Sequence, residues 1–263
     1  MHQARKRFGQ HFLTDQQVIS NIVTAINPTP DQHVVEIGPG LGAITLPVLA
    51  LVKEMDAVEI DRDVIAALKV SSFSVGKLNL HEGDVLKFDF SSLKHTDKPN
   101  RKIRLIGNLP YNISTPLLFR LIEQREHFQD MHFMLQKEVV DRMAAQPDTS
   151  DYGRLTVMLS PWLRVDPLFD IAPSAFRPPP RVMSTIVRLT PHAASPFEIK
   201  DQATFSRLVT AAFSQRRKTL RNALQSLLSV EQIRSVDIDP GLRAEVLSPE
   251  TFARLAALVE PQI

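Results

Sequence analysis

The chain has 263 residues, 43% of them hydrophobic, enough to bury one sizeable core with room for a smaller second unit. It has no cysteine, which excludes disulfides, thiolate zinc sites and a cysteine nucleophile, and its formal net charge of +2 implies a polyanionic partner only if the basic residues are clustered. No apolar run approaches membrane-spanning length and the first residues lack the apolar core of a signal peptide, so a soluble, cytoplasmic protein is expected.

Arg5, Lys6 and Arg7 precede the first acid and are followed by Phe8, Phe12 and Leu13, the pattern of an arm that packs down and contacts phosphate. Asp15 is placed to cap a helix with Val18, Ile19, Ile22, Val23 and Ile26 on one face and Asn27-Pro28 at its end. From residue 33 short apolar runs alternate with helical stretches, which predicts βαβ units and a mostly parallel sheet. The first strand, 34–37, runs into Gly38-Pro39-Gly40-Leu41-Gly42, with a helix from about Ala43. Glycines in such a turn admit positive φ and let a nucleotide-like ligand approach the backbone. The spacing is not the Gly-x-Gly-x-x-Gly dinucleotide pattern, because position 43 is alanine.

The second strand, 57–61, places Glu59 roughly 20 residues past the turn, where an acid reaches a ribose diol. Glu59 is the ribose candidate, and Asp61 is expected to cap the helix over 64–70. A third strand, 78–85, carries Asp84, an acceptor for the exocyclic amine of an adenine. The fourth, 103–106, delivers Gly107-Asn108-Leu109-Pro110-Tyr111-Asn112-Ile113-Ser114. Pro110 fixes its own φ and pushes Leu109 toward an extended conformation, so an amide and an aromatic ring are held apart by a segment that cannot coil. That arrangement suits methylation of an exocyclic base amine: Asn108 and the Leu109 or Pro110 carbonyl accept the amine hydrogens, and Tyr111 covers the base.

A helix capped by Ser114 or Thr115 should follow, with Pro116 in its first turn, then a strand over 131–136 and a helix over 138–145. Residues 155–159 and 182–189 read as two more strands. Between them the prolines of Phe176-Arg177-Pro178-Pro179-Pro180-Arg181 hold the Phe176 ring either over a base opposite Tyr111 or as a hydrophobic plug. Residues 190–196 read as a linker. The helical reading of 205–224 contains Arg207, Arg216, Arg217, Lys218 and Arg221 with no acid. Leu220, Ala223, Leu224, Leu227 and Leu228 form an apolar stripe that leaves Arg217 and Arg221 on another face, a candidate phosphate surface. Ser248-Pro249-Glu250 opens a last helix to about Val259, and the eight histidines lack metal-ligand spacing, so no metal is expected.

Gly9-Gln10-His11-Phe12-Leu13, Glu36-Ile37-Gly38-Pro39-Gly40-Leu41-Gly42, Glu59-Ile60-Asp61, Gly83-Asp84, the segment from Asn108 to Ser114 and that from Phe176 to Val182 together resemble the ribosomal RNA adenine N6-dimethyltransferases over nearly the whole chain. The run Ala212-Phe213-Ser214-Gln215-Arg216-Arg217-Lys218-Thr219-Leu220-Arg221-Asn222 resembles members acting on small-subunit (16S) rRNA more than the antibiotic-resistance members acting on the large subunit. The resemblance implies an α/β, Rossmann-like seven-stranded S-adenosylmethionine-dependent methyltransferase domain over 1–192 and a small all-helical RNA-recognition domain over 193–263. It implies S-adenosylmethionine bound by His11, Leu13, Gly38, Glu59, Asp84 and Asn108. The substrate it implies is a pair of adjacent adenosines in a hairpin loop near the 3′ end of 16S rRNA, each dimethylated on N6 within the small ribosomal subunit or its assembly intermediate.

The residues themselves give a catalytic set of Asn108, Leu109, Pro110, Tyr111 and Phe176, and RNA contacts at Arg5, Lys6, Arg7, Arg216, Arg217, Lys218 and Arg221, in a protein expected to be a monomer. An NAD-dependent oxidoreductase would use the glycine turn and Glu59 but leaves Asn108 to Tyr111 without a task. A non-catalytic RNA-binding assembly factor would keep the basic surfaces and need no intact donor site. Methylation of DNA is a variant of the first reading.

Overall fold

The computed structural model describes residues 11–93, 101–215 and 217–260. In chain order the strands are β1 (Phe12–Leu13), β2 (His33–Ile37), β3 (Glu54–Glu59), β4 (Lys77–Glu82), β5 (Ile103–Asn108), β6 (Phe128–Gln136), β7 (Leu163–Ile171), β8 (Phe176–Arg177) and β9 (Ser184–Pro191). Seven of them form one sheet in the order β4-β3-β2-β5-β6-β9-β7, while β1 and β8 pair as a separate antiparallel ribbon. Strands β4 through β6 run parallel, and β9 returns antiparallel to β6. The chain runs outward from β2 to β4 and then crosses back to β5 on the other side of β2. The order therefore reverses between β2 and β5, where open α/β sheets bind ligands outside the carboxyl ends of their strands.

Helices α1 (Gln16–Ile26), α2 (Thr45–Val52), α3 (Arg62–Ser72), α4 (Ser114–Glu123) and α5 (Lys137–Ala144) follow the apolar periodicity. The Asp15 carboxylate accepts from Gln17 N and Val18 N, and Asn27 ends α1 in the left-handed conformation. Ile19, Ile22 and Ile26 of α1 and Val48, Leu49 and Val52 of α2 pack in one cluster with Val34, Met55, Ile106 and Met134 of the sheet. Each such side chain contributes about 1.5 to 3 kcal/mol by leaving water. All five residues of β2 are buried, as expected of a central strand covered on both faces.

Several expectations are corrected. Residues 155–159 form a helix, α6 (Arg154–Leu159), whose run Thr156 to Leu159 is buried throughout. A short, uniformly apolar run has no period to separate strand from helix. Strand β7 has no counterpart in the sequence reading, because it lies at the sheet edge and carries Asp166, Pro167 and Asp170. Neither Ser114 nor Thr115 caps α4: the turn after Asn108 bonds Ile113 N to the Pro110 carbonyl and leads straight into the helix, and the Ser114 hydroxyl donates to the Tyr111 carbonyl at 3.1 Å.

The chain divides into two compact units, 1–140 with 166–191 and 141–165 with 192–263. The second unit thus takes in 141–165, which the sequence reading kept in the first. Tyr152 Oη donates to the Leu247 carbonyl at 2.6 Å, Asp148 N to Glu245 O at 2.9 Å, and Phe213 packs against both Tyr152 and Phe252. This unit contains α6, α7 (Gln202–Ala212), α8 (Leu220–Ala223), α9 (Val230–Arg234) and α10 (Pro249–Ala256), the last capped by Ser248 as expected. The continuous helix expected over 205–224 is broken after Ala212. Leu220 N and Arg221 N bond the carbonyls of Leu242 and Pro240, and these tertiary bonds displace continuous helix. Arg217 therefore stands in a turn and Arg221 on α8, so the four-residue spacing does not put them on one helix face.

Candidate active site

A cavity of about 300 Å³ opens at the carboxyl ends of β2, β3, β4 and β5, at the lower end of the range for small-molecule sites. Its floor is the glycine turn. Gly38, Gly40 and Gly42 have φ of 62°, 54° and 87°, which L side chains seldom adopt. The Phe12 ring lies 3.6 Å from where a Cβ on Gly40 would be. One strand away, a Cβ on Gly107 would meet the Ile37 carbonyl at 2.6 Å. Glycine at that position lets Gly38 and Asn108 stand side by side at the reversal point.

Two acids reach the cavity from neighbouring strand ends. Glu59 is buried, and its Oε1 accepts from Ile60 N at 2.8 Å and Asp61 N at 2.9 Å. Burial raises its pKa above the ordinary carboxylate value, against the opposing pull of these N–H groups and that of Gly40. Asp61 caps α3 by accepting from Asp63 N at 2.9 Å. Asp84 accepts from Leu86 N at 3.0 Å, which fixes its carboxylate in the turn after β4. Beneath the turn, Glu36 is buried with its Oε2 lacking a hydrogen-bond partner. Burial, reinforced by the Glu59 charge, pushes its pKa up to about 7.

The segment after β5 is braced from three sides. Leu109 N bonds the Met134 carbonyl at 3.2 Å, and its side chain is buried. Asn108 Nδ2 donates to the His11 carbonyl at 3.2 Å. A carbonyl can only accept, so the Asn108 amide is oriented with its nitrogen on His11 and Oδ1 left as the acceptor. The Tyr111 ring stacks on the His11 ring with centroids 5.9 Å apart, and its hydroxyl pairs with Ser184 Oγ at 2.9 Å. Burial raises the Tyr111 pKa, so the phenol is neutral and serves as a fixed aromatic surface. His11 Nδ1 in turn donates to the Pro178 carbonyl at 2.8 Å.

His11, Gly38, Glu59, Asp84, Asn108, Leu109, Pro110 and Tyr111 all line this one cavity. Leu13 and Phe176 do not. They face each other across the β1–β8 ribbon, are 6% and 1% exposed, and belong to the core cluster. Of the two placements expected for the Phe176 ring, the structure has the plug beneath the loop, because strand alternation in β8 turns it inward and Arg177 outward. Arg5, Lys6, Arg7 and Arg216 lie outside the described residues, while Arg217, Lys218 and Arg221 are exposed in the second unit.

Sequence reasoning missed Phe12, Ile60, Val85 and Leu86, which supply apolar walls. Ile60 is 52% exposed, and the signal for it was an apolar residue between Glu59 and Asp61 at a strand end. Among the described residues no group of His, Asp and Glu is arranged to hold a metal ion, and no helix is long and apolar enough to cross a membrane.

Residues 1–260 match the family model described as ribosomal RNA adenine dimethylase. The chain is 53% identical to the ribosomal RNA small subunit methyltransferase A of Hahella chejuensis, over 98% of this chain and 93% of that protein. It is 52% identical to the protein of the same name from Marinobacter nauticus, over 98% of this chain and 92% of the relative. Among solved structures, a dimethyladenosine transferase from Plasmodium falciparum superposes with a TM-score of 0.79 at 27% identity, covering 93% of this chain and 96% of that one.

Proposed function

This chain belongs to the ribosomal RNA adenine dimethylase family and is an S-adenosylmethionine-dependent enzyme that dimethylates adenine in ribosomal RNA, and we propose that its targets are two adjacent adenosines in a hairpin loop near the 3′ end of 16S rRNA. The observation that carries the mechanism is the orientation of Asn108, whose amide oxygen is left as an acceptor at the mouth of the cavity, beside the braced Tyr111 ring.

The donor fits the residues present. Glu59 takes the ribose hydroxyls, Asp84 the exocyclic amine of its adenine, and Ile60 and Val85 the faces of that ring. Gly38 leaves room for the backbone approach, and His11 closes the site by carrying Asn108 on its carbonyl. Leu13 acts from the core, anchoring the ribbon that presents His11 and Phe12. When bound, S-adenosylmethionine supplies an electrophilic methyl group on a positively charged sulfur.

The amine nitrogen of adenine is a weak nucleophile because its lone pair is delocalised into the ring. Asn108 Oδ1 and the Leu109 or Pro110 carbonyl accept its two hydrogens, letting the nitrogen pyramidalise and aim its lone pair at the methyl carbon. The product ammonium is acidic enough to lose its proton to water, so no strong base is required of the protein. Tyr111 replaces the stacking lost when the base leaves its RNA stack, worth about 1 to 3 kcal/mol. The second methylation proceeds with one N–H contact fewer, so it leans more heavily on this ring.

In this reading the first unit performs the chemistry, and Arg217, Lys218 and Arg221 of the second hold RNA. The protein acts as a monomer, in the cytoplasm, on the small subunit or its assembly intermediate. The test is transfer of labelled methyl from S-adenosylmethionine to unmethylated small ribosomal subunits, followed by nucleoside analysis. Label in N6,N6-dimethyladenosine at two adjacent 16S positions is expected. Label in another nucleoside, or in large-subunit rRNA alone, would overturn the assignment.

A further inference from the structure

The β1–β8 ribbon and the loop that leaves it form a continuous border on the cavity. Phe12 pairs with Arg177, and residues directly opposite in an antiparallel pair project on the same side. Since Phe12 lines the cavity while Leu13 and Phe176 point into the core, Arg177 stands on the cavity side of the ribbon. The next carbonyl, that of Pro178, is held by His11, and the loop ends at Ser184, which is held by Tyr111. The segment 177–184 is thus fastened at both ends to the two rings that flank the proposed target base.

Its exposed residues are Arg177, Pro178, Pro179, Arg181, Val182 and Met183, and no acidic residue occurs between Asp170 and Glu198. Arg177 uses only Nη1 within the protein, on the Ser174 and Phe176 carbonyls. Arg181 makes no hydrogen bond or ion pair among the described residues. Of the two acids that flank the loop in sequence, Asp170 is occupied by Thr185 and Lys137, and Glu198 lies beyond the end of β9. One guanidinium group without a bond and one with its Nε and Nη2 still open, beside exposed apolar side chains, have the composition of a single-stranded nucleic-acid surface.

We propose that the loop 177–184 is an RNA-docking surface of the catalytic unit, with Arg177 and Arg181 binding backbone phosphates of the strand that carries the extruded adenosine. Four residues apart, their Cα atoms are separated by at most about 14 Å, so both guanidinium groups serve one short stretch of strand. The proposal rests on the reading of Tyr111 as the surface that receives the target base.

The test is a salt titration of binding to in vitro transcribed 16S rRNA, for wild type and for the double variant Arg177→Ala/Arg181→Ala. Donor affinity is measured in parallel by calorimetry. Loss of two phosphate contacts should flatten the log–log salt slope by about 1.4 and raise KM for the RNA about tenfold, with kcat and donor affinity nearly unchanged. The Lys/Lys variant should keep the wild-type slope, since a phosphate contact needs charge more than fork geometry. Arg181→Glu alone, at a side chain with no partner among the described residues, should weaken RNA binding without loss of thermal stability. Equal slopes for wild type and the double variant, or an Arg181→Glu protein with wild-type RNA affinity, would overturn the proposal. If wild type transfers no methyl to the RNA or to small subunits, it is the reading of the site that fails.

Discussion

The body and the carboxyl ends of the central sheet bury polar groups to a similar degree but complete their bonding very differently. In the body of the sheet, Asp56 on β3 receives a ring nitrogen from His33 at the amino end of β2 at 2.8 Å and another that reaches back from His81 on β4 at 2.7 Å. Burial alone would raise the Asp56 pKa, but these two bonds outweigh it and leave it below the ordinary carboxylate value. Arg104 on β5 grips Asp130 on β6 through two 3.0 Å bonds and also donates to the Asn27 carbonyl and Gln32 Oε1. Each network spans neighbouring strands and fixes their register. At the carboxyl ends, Glu36 keeps an unpartnered oxygen and Asn108 an acceptor left open.

Closed polar networks hold a sheet together; open ones mark where a ligand supplies the missing partners. His132 is the exception. Both its ring nitrogens lack hydrogen-bond partners. Burial, helped by Arg104 and Arg188 against the pull of Asp130, lowers its pKa to about 4, so it stays neutral and needs no counter-charge.

If the comparison is right, damage in the two regions separates activity from stability. The largest effect is expected from Asn108→Ala, which removes both the acceptor and the bond to His11. Turnover should drop by about a hundred- to a thousandfold, while the melting temperature and RNA affinity change little. Single-turnover methylation beside thermal unfolding checks this, and a rate within a few-fold of wild type would mean Oδ1 is not the amine acceptor. Asp56→Ala should do the converse. It removes the buried bonds to His33 and His81 inside the sheet and should cost about 2 to 4 kcal/mol in denaturant unfolding, with donor affinity of the folded protein within about twofold of wild type.

The smallest effect depends on pH. Glu36 has a folded pKa of about 7 against an ordinary 4.5, so the folded state holds its proton more tightly than the unfolded chain does. Its stabilising contribution is fully present below pH 4.5 and is lost as pH rises through 7. Glu36→Gln cannot ionise, so relative to wild type it should gain about 2 to 3 kcal/mol between pH 5 and pH 8. Unfolding curves at the two pH values measure the difference directly. A parallel pH dependence in both proteins would show that folding does not raise the Glu36 pKa.

Much of the site was legible because it is written in local backbone terms. Positive φ in the turn from Gly38 to Gly42, the cap at Asp15, the reversal at Asn27-Pro28 and the stiff Leu109-Pro110 step each depend on neighbours in the chain. Glu59, Asp84 and Asn108 then meet because parallel βαβ topology brings successive strand ends to one edge. What the tertiary structure alone decided is everything that rests on contacts distant in sequence. Phe176 became a core plug because its partner across the ribbon is Leu13, more than 160 positions away. Residues 141–165 joined the second unit through bonds from Tyr152 and Asp148 to 245–247, and the expected helix broke where Leu220 and Arg221 found the carbonyls of Leu242 and Pro240. A short apolar run fixes neither its own period nor its partner, so such segments take the conformation their distant neighbours can bury and hydrogen-bond.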